Sequence, residues 1–254
     1  MGSQFTSRWT GRQSAQVVSR ISAVRNASIE GKKGGVDDLT AKQRRELGDS
    51  MLAEIISIAE QRKFGGEFEA SQVFVETLDW LKWLHTDAQW NGCRKSVARY
   101  RLDEHSRPIP VLVRALRKIA SAESYPRDRF RVASSEAARG VLAAVATRIP
   151  AGASAGAESE RFCRALADFD LEEFVATYIR LFVNALLARI LGLADPQHLD
   201  PAIEDARRLG EATARRVGRR VVARVKKKGA LTDSNRIHDL LLELFRELAK
   251  KGGE

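Results

Sequence analysis

Apolar residues along this chain recur at intervals of three and four, the spacing that gathers them on one side of an α-helix. The last stretch shows it best, with Ile237, Leu240, Leu241, Leu244, Phe245 and Leu248 at i, i+3, i+4, i+7, i+8 and i+11. This predicts a terminal amphipathic helix capped by Thr232. Upstream, Asp170 followed by Glu173 predicts the capped start of a longer helix. Leu171, Phe174, Val175, Tyr178, Phe182, Leu186 and Ile190 form its stripe. Leu181, Val183, Leu187 and Leu191 widen that stripe, leaving Glu173, Thr177, Arg180 and Asn184 for solvent. Such a helix predicts the central strut of a bundle, closed by Gly192.

The same period runs through the first half. Thr40 and Gln43 fit a capping box, followed by Met51, Leu52, Ile55, Ile56 and Ile58, with Gly65 and Gly66 as the stop. A second helix is predicted from about Glu69 to His85, with Val73, Val75, Leu78, Leu81 and Leu84 inward, and Asn91-Gly92 marks a turn. Further helices are expected over 94–104, 110–122, 134–148 and 158–168, with Pro110 where a missing N–H costs nothing. Asp200 and Pro201 open a helix over 201–228. No strand is predicted, apart from the option of short β elements near 108–113. The fold class is therefore all-α: a multi-helix bundle, expected as two helical modules over 38–149 and 158–251. Residues 150–157, small and uncharged, form the joint, and residues 1–37 form a basic, flexible N-terminal tail.

Composition narrows the class. With 254 residues, 44% hydrophobic and 30% charged, the chain can bury a core without staples. Its 43 Lys and Arg against 33 acids leave a net charge of +10, which attracts polyanions without choosing among them. The two cysteines, Cys93 and Cys163, are far apart in sequence and suit neither a disulfide framework nor a zinc site, so two reduced, buried thiols are expected. Met1 to Gln16 has no apolar run, so no secretory signal is expected. Phe174 to Leu193 carries Arg180, Asn184 and Arg189, so no membrane span is expected and the compartment read from these features is the cytoplasm.

The charge is concentrated on the 201–228 helix. One face carries Ile203, Ala206, Gly210, Ala214, Val217, Val221 and Val225; on the other, Arg208, Arg215, Arg219 and Lys226 fall almost in line, flanked by Arg216, Arg220 and Lys227. Like charges three and four apart repel on an isolated helix. A phosphate or carboxylate surface would offset that cost, and Arg forks suit such oxygens. These seven residues are the candidate binding site for a polyanion or acidic partner. The alternative is a solvated or internally paired face.

Trp80, Trp83 and Trp90 lie near basic residues, which suits base stacking. The more common role, and the one expected here, is a core anchor. Trp9 sits in the tail, with little core to bury it, and is the candidate for tail docking. His85, His105, His198 and His238 share no metal-like spacing, and no metal or cofactor is expected. Arg99 and His105 fit the loose Arg-x(4–6)-His pattern of HEPN ribonucleases, which are all-helical. About one match of that looseness is expected by chance in so Arg-rich a chain. Tyr100 also stands where that family carries a polar residue. No phosphate-cradling Gly loop, nucleophile elbow or dinucleotide fingerprint is present.

The last third has a family cadence. Leu171-Glu-Glu-Phe174 opens an apolar helix ending in Ile190-Leu-Gly-Leu193; a helix with Ala212-Thr-Ala-Arg-Arg-Val217 follows, then a terminal helix after Leu231-Thr-Asp233. This region resembles the C-terminal part of QatB-type proteins, accessory components of bacterial anti-phage defence operons. The resemblance implies a non-enzymatic subunit that works beside separately encoded enzymes. The first 150 residues do not share it. The sequence thus leads to a non-enzymatic accessory or scaffold subunit with protein partners. Nucleic-acid binding through the same helix is the first alternative, and a HEPN-like ribonuclease the second.

Overall fold

The structure is a computed structural model and describes residues 39–61, 71–100, 106–119, 130–150, 152, 154–190 and 201–252. Among the described residues there are eight α-helices and no strand. They are α1 (Ala41–Gln61), α2 (Gln72–Arg99), α3 (Pro108–Ile119), α4 (Arg131–Ala146), α5 (Ala155–Ala167), α6 (Leu171–Ile190), α7 (Pro201–Lys227) and α8 (Ser234–Gly252). The expected all-α class is what the chain adopts. The option of β structure near 108–113 fails: Pro108 lies in the first turn of α3, and Leu112 and Leu116, one turn apart, are fully buried.

Helix starts follow the capping chemistry. The Thr40 hydroxyl accepts from the Gln43 amide N–H at 3.2 Å, and the Gln43 side chain accepts from the Thr40 N–H at 3.0 Å, a complete capping box. Asp170 accepts from the Glu173 N–H at 2.9 Å. Two starts differ from expectation. Ser71 caps α2 by accepting from the Phe74 N–H, and Asp233 rather than Thr232 caps α8, accepting from the Arg236 N–H at 3.0 Å. Thr232 lies one residue too early for the three-residue reach of a cap.

The chain divides into two compact units. The first comprises Met1–Glu69, Val183–Val217 and Leu240–Glu254; the second comprises Ala70–Phe182 and Gly218–Asp239. Residues on both sides of the expected 150–157 joint therefore belong to the second unit, and Ala155, Gly156 and Ala157 already form the first turn of α5.

In the first unit, Leu47 and Leu52 of α1, Val183 and Leu187 of α6, Leu209, Ala214 and Val217 of α7, and Leu244, Phe245 and Leu248 of α8 are buried. Gly48 lets α1 come close to α7: a Cβ there would clash with the Thr213 hydroxyl.

In the second unit the core centres on Phe74, which lies 5.1 Å from Tyr178 and 4.9 Å from Phe182, ring centre to ring centre. The Tyr178 hydroxyl donates to the Phe74 carbonyl at 3.2 Å. Helix α6 is enclosed more fully than its pattern implies. Of the four positions expected to face solvent, only Glu173 is exposed; Thr177 is buried, and Arg180 and Asn184 are half-buried. The cause is Gly218 of α7, whose missing side chain brings backbone against backbone: a Cβ there would stand 2.9 Å from the Ala176 carbonyl and 3.4 Å from the Arg180 nitrogen.

Candidate functional site

Helix α7 presents its charge by anchoring the opposite side. Ala214, Val217, Val221 and Val225, at helical spacing, are all essentially inaccessible. Of the seven expected binding residues, Arg208, Arg215, Arg219, Lys226 and Lys227 are exposed, and Arg216 and Arg220 are half-buried.

Exposure does not mean freedom. In the first unit, Arg216 is ion-paired to Asp49 of α1, and Arg207 reaches Glu211 at 3.5 Å. Arg215, their neighbour, has no ion partner among the described residues. In the second unit, Lys226 meets Glu172 at 2.7 Å, and that hydrogen bond and charge hold its ammonium above the ordinary lysine value. Arg219, Arg220, Lys227 and Lys228 have no ion partner among the described residues. Arg216 and Lys226 are thus engaged by carboxylates, and the cations at the end of α7 also favour the negative end of its dipole.

A second constellation was invisible in the sequence. Gly92 has φ +67° and ψ 162°, so the helical run α2 turns sharply there, where Asn91-Gly92 predicted a turn. Residues 93–99 double back. Asp87 and Ser96 would lie about 13 Å apart along a straight helix, yet the Ser96 hydroxyl donates to the Asp87 carboxylate at 2.9 Å. Arg99 donates to it at 2.9 Å and Asn91 also donates to it. Three donors satisfy a carboxylate whose side chain is 3% exposed. The Arg99 guanidinium also lies 5.3 Å from the Trp83 ring centre, and Trp83 packs edge-on against Tyr100 at 5.7 Å. Only the Asn91-Gly92 dipeptide could have signalled this corner, because 87–96 and 87–99 are not helical spacings.

The tryptophans do not behave alike. Trp80 is half-buried, whereas Trp83, at the edge of the corner, is 43% exposed and departs from the expected core anchor. Trp90 corrects the expectation of a core anchor: it is 83% exposed, beside the exposed Arg94 and Lys95. Trp83 and Trp90, seven residues apart, share the face of α2 opposite the buried Leu81, Leu84 and Ala88. Trp9, His105 and His198 lie outside the described residues.

The Asp87 carboxylate is occupied by its three donors. Burial, then the charge of Asp87, pushes the Tyr100 phenol above its ordinary range. Burial pushes the Cys163 thiol up to about 12, and raises Cys93 as well, so neither is a thiolate nucleophile at neutral pH. His85 is buried with Nε2 2.7 Å from the Phe169 carbonyl oxygen, and His238 is buried 5.1 Å from the Phe74 ring centre. Among the described residues, no three His, Cys, Asp or Glu side chains converge as metal ligands do. No described helix is long and apolar enough to cross a membrane. No protein-family model, curated protein or solved structure significantly matches this chain.

Proposed function

We propose that this chain is a non-enzymatic docking subunit of a cytoplasmic multi-protein assembly, holding the unpaired cations of α7 against an acidic or phosphate-bearing surface of a partner. One observation carries the reading. Arg219 stands exposed without an ion partner among the described residues, on the same helix as Val221 and Val225, which are completely buried. A guanidinium on so firmly seated a helix loses little freedom on binding, and its fork matches carboxylate and phosphate oxygens. Arg215 offers the same arrangement within the first unit, beside the buried Ala214 and Val217. The C-terminal cadence resembling QatB-type proteins favours a bacterial anti-phage assembly as the setting.

Affinity purification of the intact chain, alongside an Arg219→Glu, Lys227→Glu variant and a separate Arg215→Glu variant, tests this. A partner that co-purifies with the parent chain and is lost on charge reversal, with the thermal midpoint unchanged, is the expected result. Equal recovery by all three proteins sinks the reading.

Nucleic-acid binding is the second reading, and Trp90 is the observation that favours it. An exposed indole beside Arg94 and Lys95 pairs a stacking platform with phosphate-seeking cations. It predicts quenching of tryptophan emission by a single-stranded oligonucleotide, falling steeply with salt and absent in Trp90→Ala. The ribonuclease alternative draws no such support, because the Arg99 guanidinium is engaged by Asp87 and Trp83.

A further inference from the structure

The two cysteines are separated by most of the second unit in sequence, and packing brings them together. The part of α2 before Gly92 is tied to the C-terminal end of α5 and the residues just after it. The His85 Nε2 meets the Phe169 carbonyl oxygen at 2.7 Å, and one turn later the Gln89 side-chain amide donates to the Ala167 carbonyl at 2.9 Å. Cys93 follows directly after the Gly92 turn, and Cys163 lies one turn back along α5 from Ala167. The two thiols are close enough for each to influence the other's proton. Both are free, and the chain has no other cysteine to compete. Accessibility separates them: Cys93, next to the Gly92 turn, is half-buried, whereas Cys163 is buried.

We propose that Cys93 and Cys163 form an oxidisable dithiol site, which a low-molecular-weight disulfide of the glutathione type converts to an intramolecular disulfide joining the segment after Gly92 to α5. The accessible thiol reacts first. Cys93, as its thiolate, attacks one sulfur of glutathione disulfide; the S–S bond breaks and one glutathione leaves as thiolate, taking up the proton that Cys93 gave to solvent. Cys163 then loses its proton and attacks the Cys93 sulfur of the mixed disulfide, expelling the second glutathione. Two protein thiols are oxidised, one disulfide is reduced to two glutathiones, and no further reactant is needed.

Two neighbouring groups set the pace. Arg164 lies near Cys93 and favours its thiolate, while Glu160, paired to Arg164 at 2.5 Å, opposes it. Burial disfavours both thiolates, so the reaction is slow at neutral pH and speeds up roughly tenfold per pH unit on the alkaline side. Closure would fix the 93–99 segment, which carries Ser96 and Arg99 to Asp87. It would thereby hold the Trp90 corner in one conformation. The site makes this corner responsive to the thiol–disulfide balance, independently of what α7 binds.

The test uses the full chain, treated with glutathione disulfide at about pH 8.5 to supply thiolate. Residual thiols are then alkylated and the protein is examined by non-reducing mass spectrometry. The expected product is a monomer lighter by two hydrogens, unalkylated, with Cys93 and Cys163 in one linked peptide pair. Its thermal midpoint should rise by about 5 °C or more and return after reduction. Cys163→Ser should stop at the mixed disulfide on Cys93, and Cys93→Ser should stay unmodified. A parent chain that stays glutathionylated on Cys93 with Cys163 alkylatable, that forms an inter-chain dimer, or that does not react overturns the proposal. Modification of Cys163 in the Cys93→Ser variant overturns the order of attack.

Discussion

Arg99 and Arg219 both belong to the second unit, both sit on helices with buried inner faces, and both carry a permanent charge. Arg99 reaches the carboxylate of Asp87 and lies over Trp83, so its charge is consumed within the fold. Arg219 is exposed and meets no carboxylate among the described residues. The difference originates in the partner. Asp87 is almost fully buried, and a buried carboxylate must be matched by donors or it destabilises the fold by several kcal/mol. Glu211, the single acid among the ten basic residues from Arg207 to Lys228, lies on the surface and takes only Arg207. Where acid is buried, arginine serves structure; where acid is scarce, it stays exposed.

Breaking the buried side of this comparison should have the largest effect. Asp87→Ala leaves Ser96, Asn91 and Arg99 without their shared acceptor and is expected to cost about 2–4 kcal/mol by urea denaturation. Half of the Arg99 side chain is already exposed, so the ion pair itself supplies the smaller part. An unchanged midpoint would mean that the corner is not held through Asp87. Gly218→Ala comes next. Its added methyl would meet the Ala176 carbonyl at 2.9 Å, backbone that cannot swing aside, and a loss of about 1–3 kcal/mol is expected. The same substitution at Gly92 tests positive φ instead of close approach, since no atom lies within 4 Å of that site.

A pH titration reads the corner differently. The Cys163 thiol is raised from 9.0 to about 12, so the unfolded chain gives up this proton at lower pH than the folded one. The associated stability is intact below about pH 9 and is lost as pH climbs through the folded value. The denaturation midpoint should therefore fall between pH 9 and 12, and less so in Cys163→Ala. The smallest effects belong to α7. Arg216→Ala breaks the pair with Asp49 and should cost about 0.5–1 kcal/mol, whereas Arg215→Ala and Arg219→Ala should stay within about 0.5 kcal/mol of the parent. If Arg219→Ala proved as costly as Asp87→Ala, its guanidinium would be structural and the division drawn here would fail.

Much of the secondary structure was legible because its causes are local. All six apolar positions of the terminal helix are buried, and the Thr40–Gln43 capping box forms as its residue types require. The exposed and buried sides of α7 also follow from its period. Misreadings arose where a distant segment intervened. Thr177 looked solvated until the glycine at 218 brought α7 against α6, and Trp83 and Trp90 looked like core although they lie on the face of α2 opposite Leu81, Leu84 and Ala88. Of the candidate cations, Arg216 and Lys226 could not be distinguished from Arg215 and Arg219 along the chain, because Asp49 and Glu172 approach them only through packing.

By itself, then, the sequence determined the helical class, most helix starts and the side of each helix that seeks a core. Those depend on residues three or four apart, within reach of one another before the chain has packed. Tertiary structure decided which charges are neutralised, which tryptophans meet water and that Cys93 comes near Cys163. Each of these depends on groups that only folding brings within a few ångströms, where desolvation and Coulomb attraction become strong enough to choose between otherwise identical side chains.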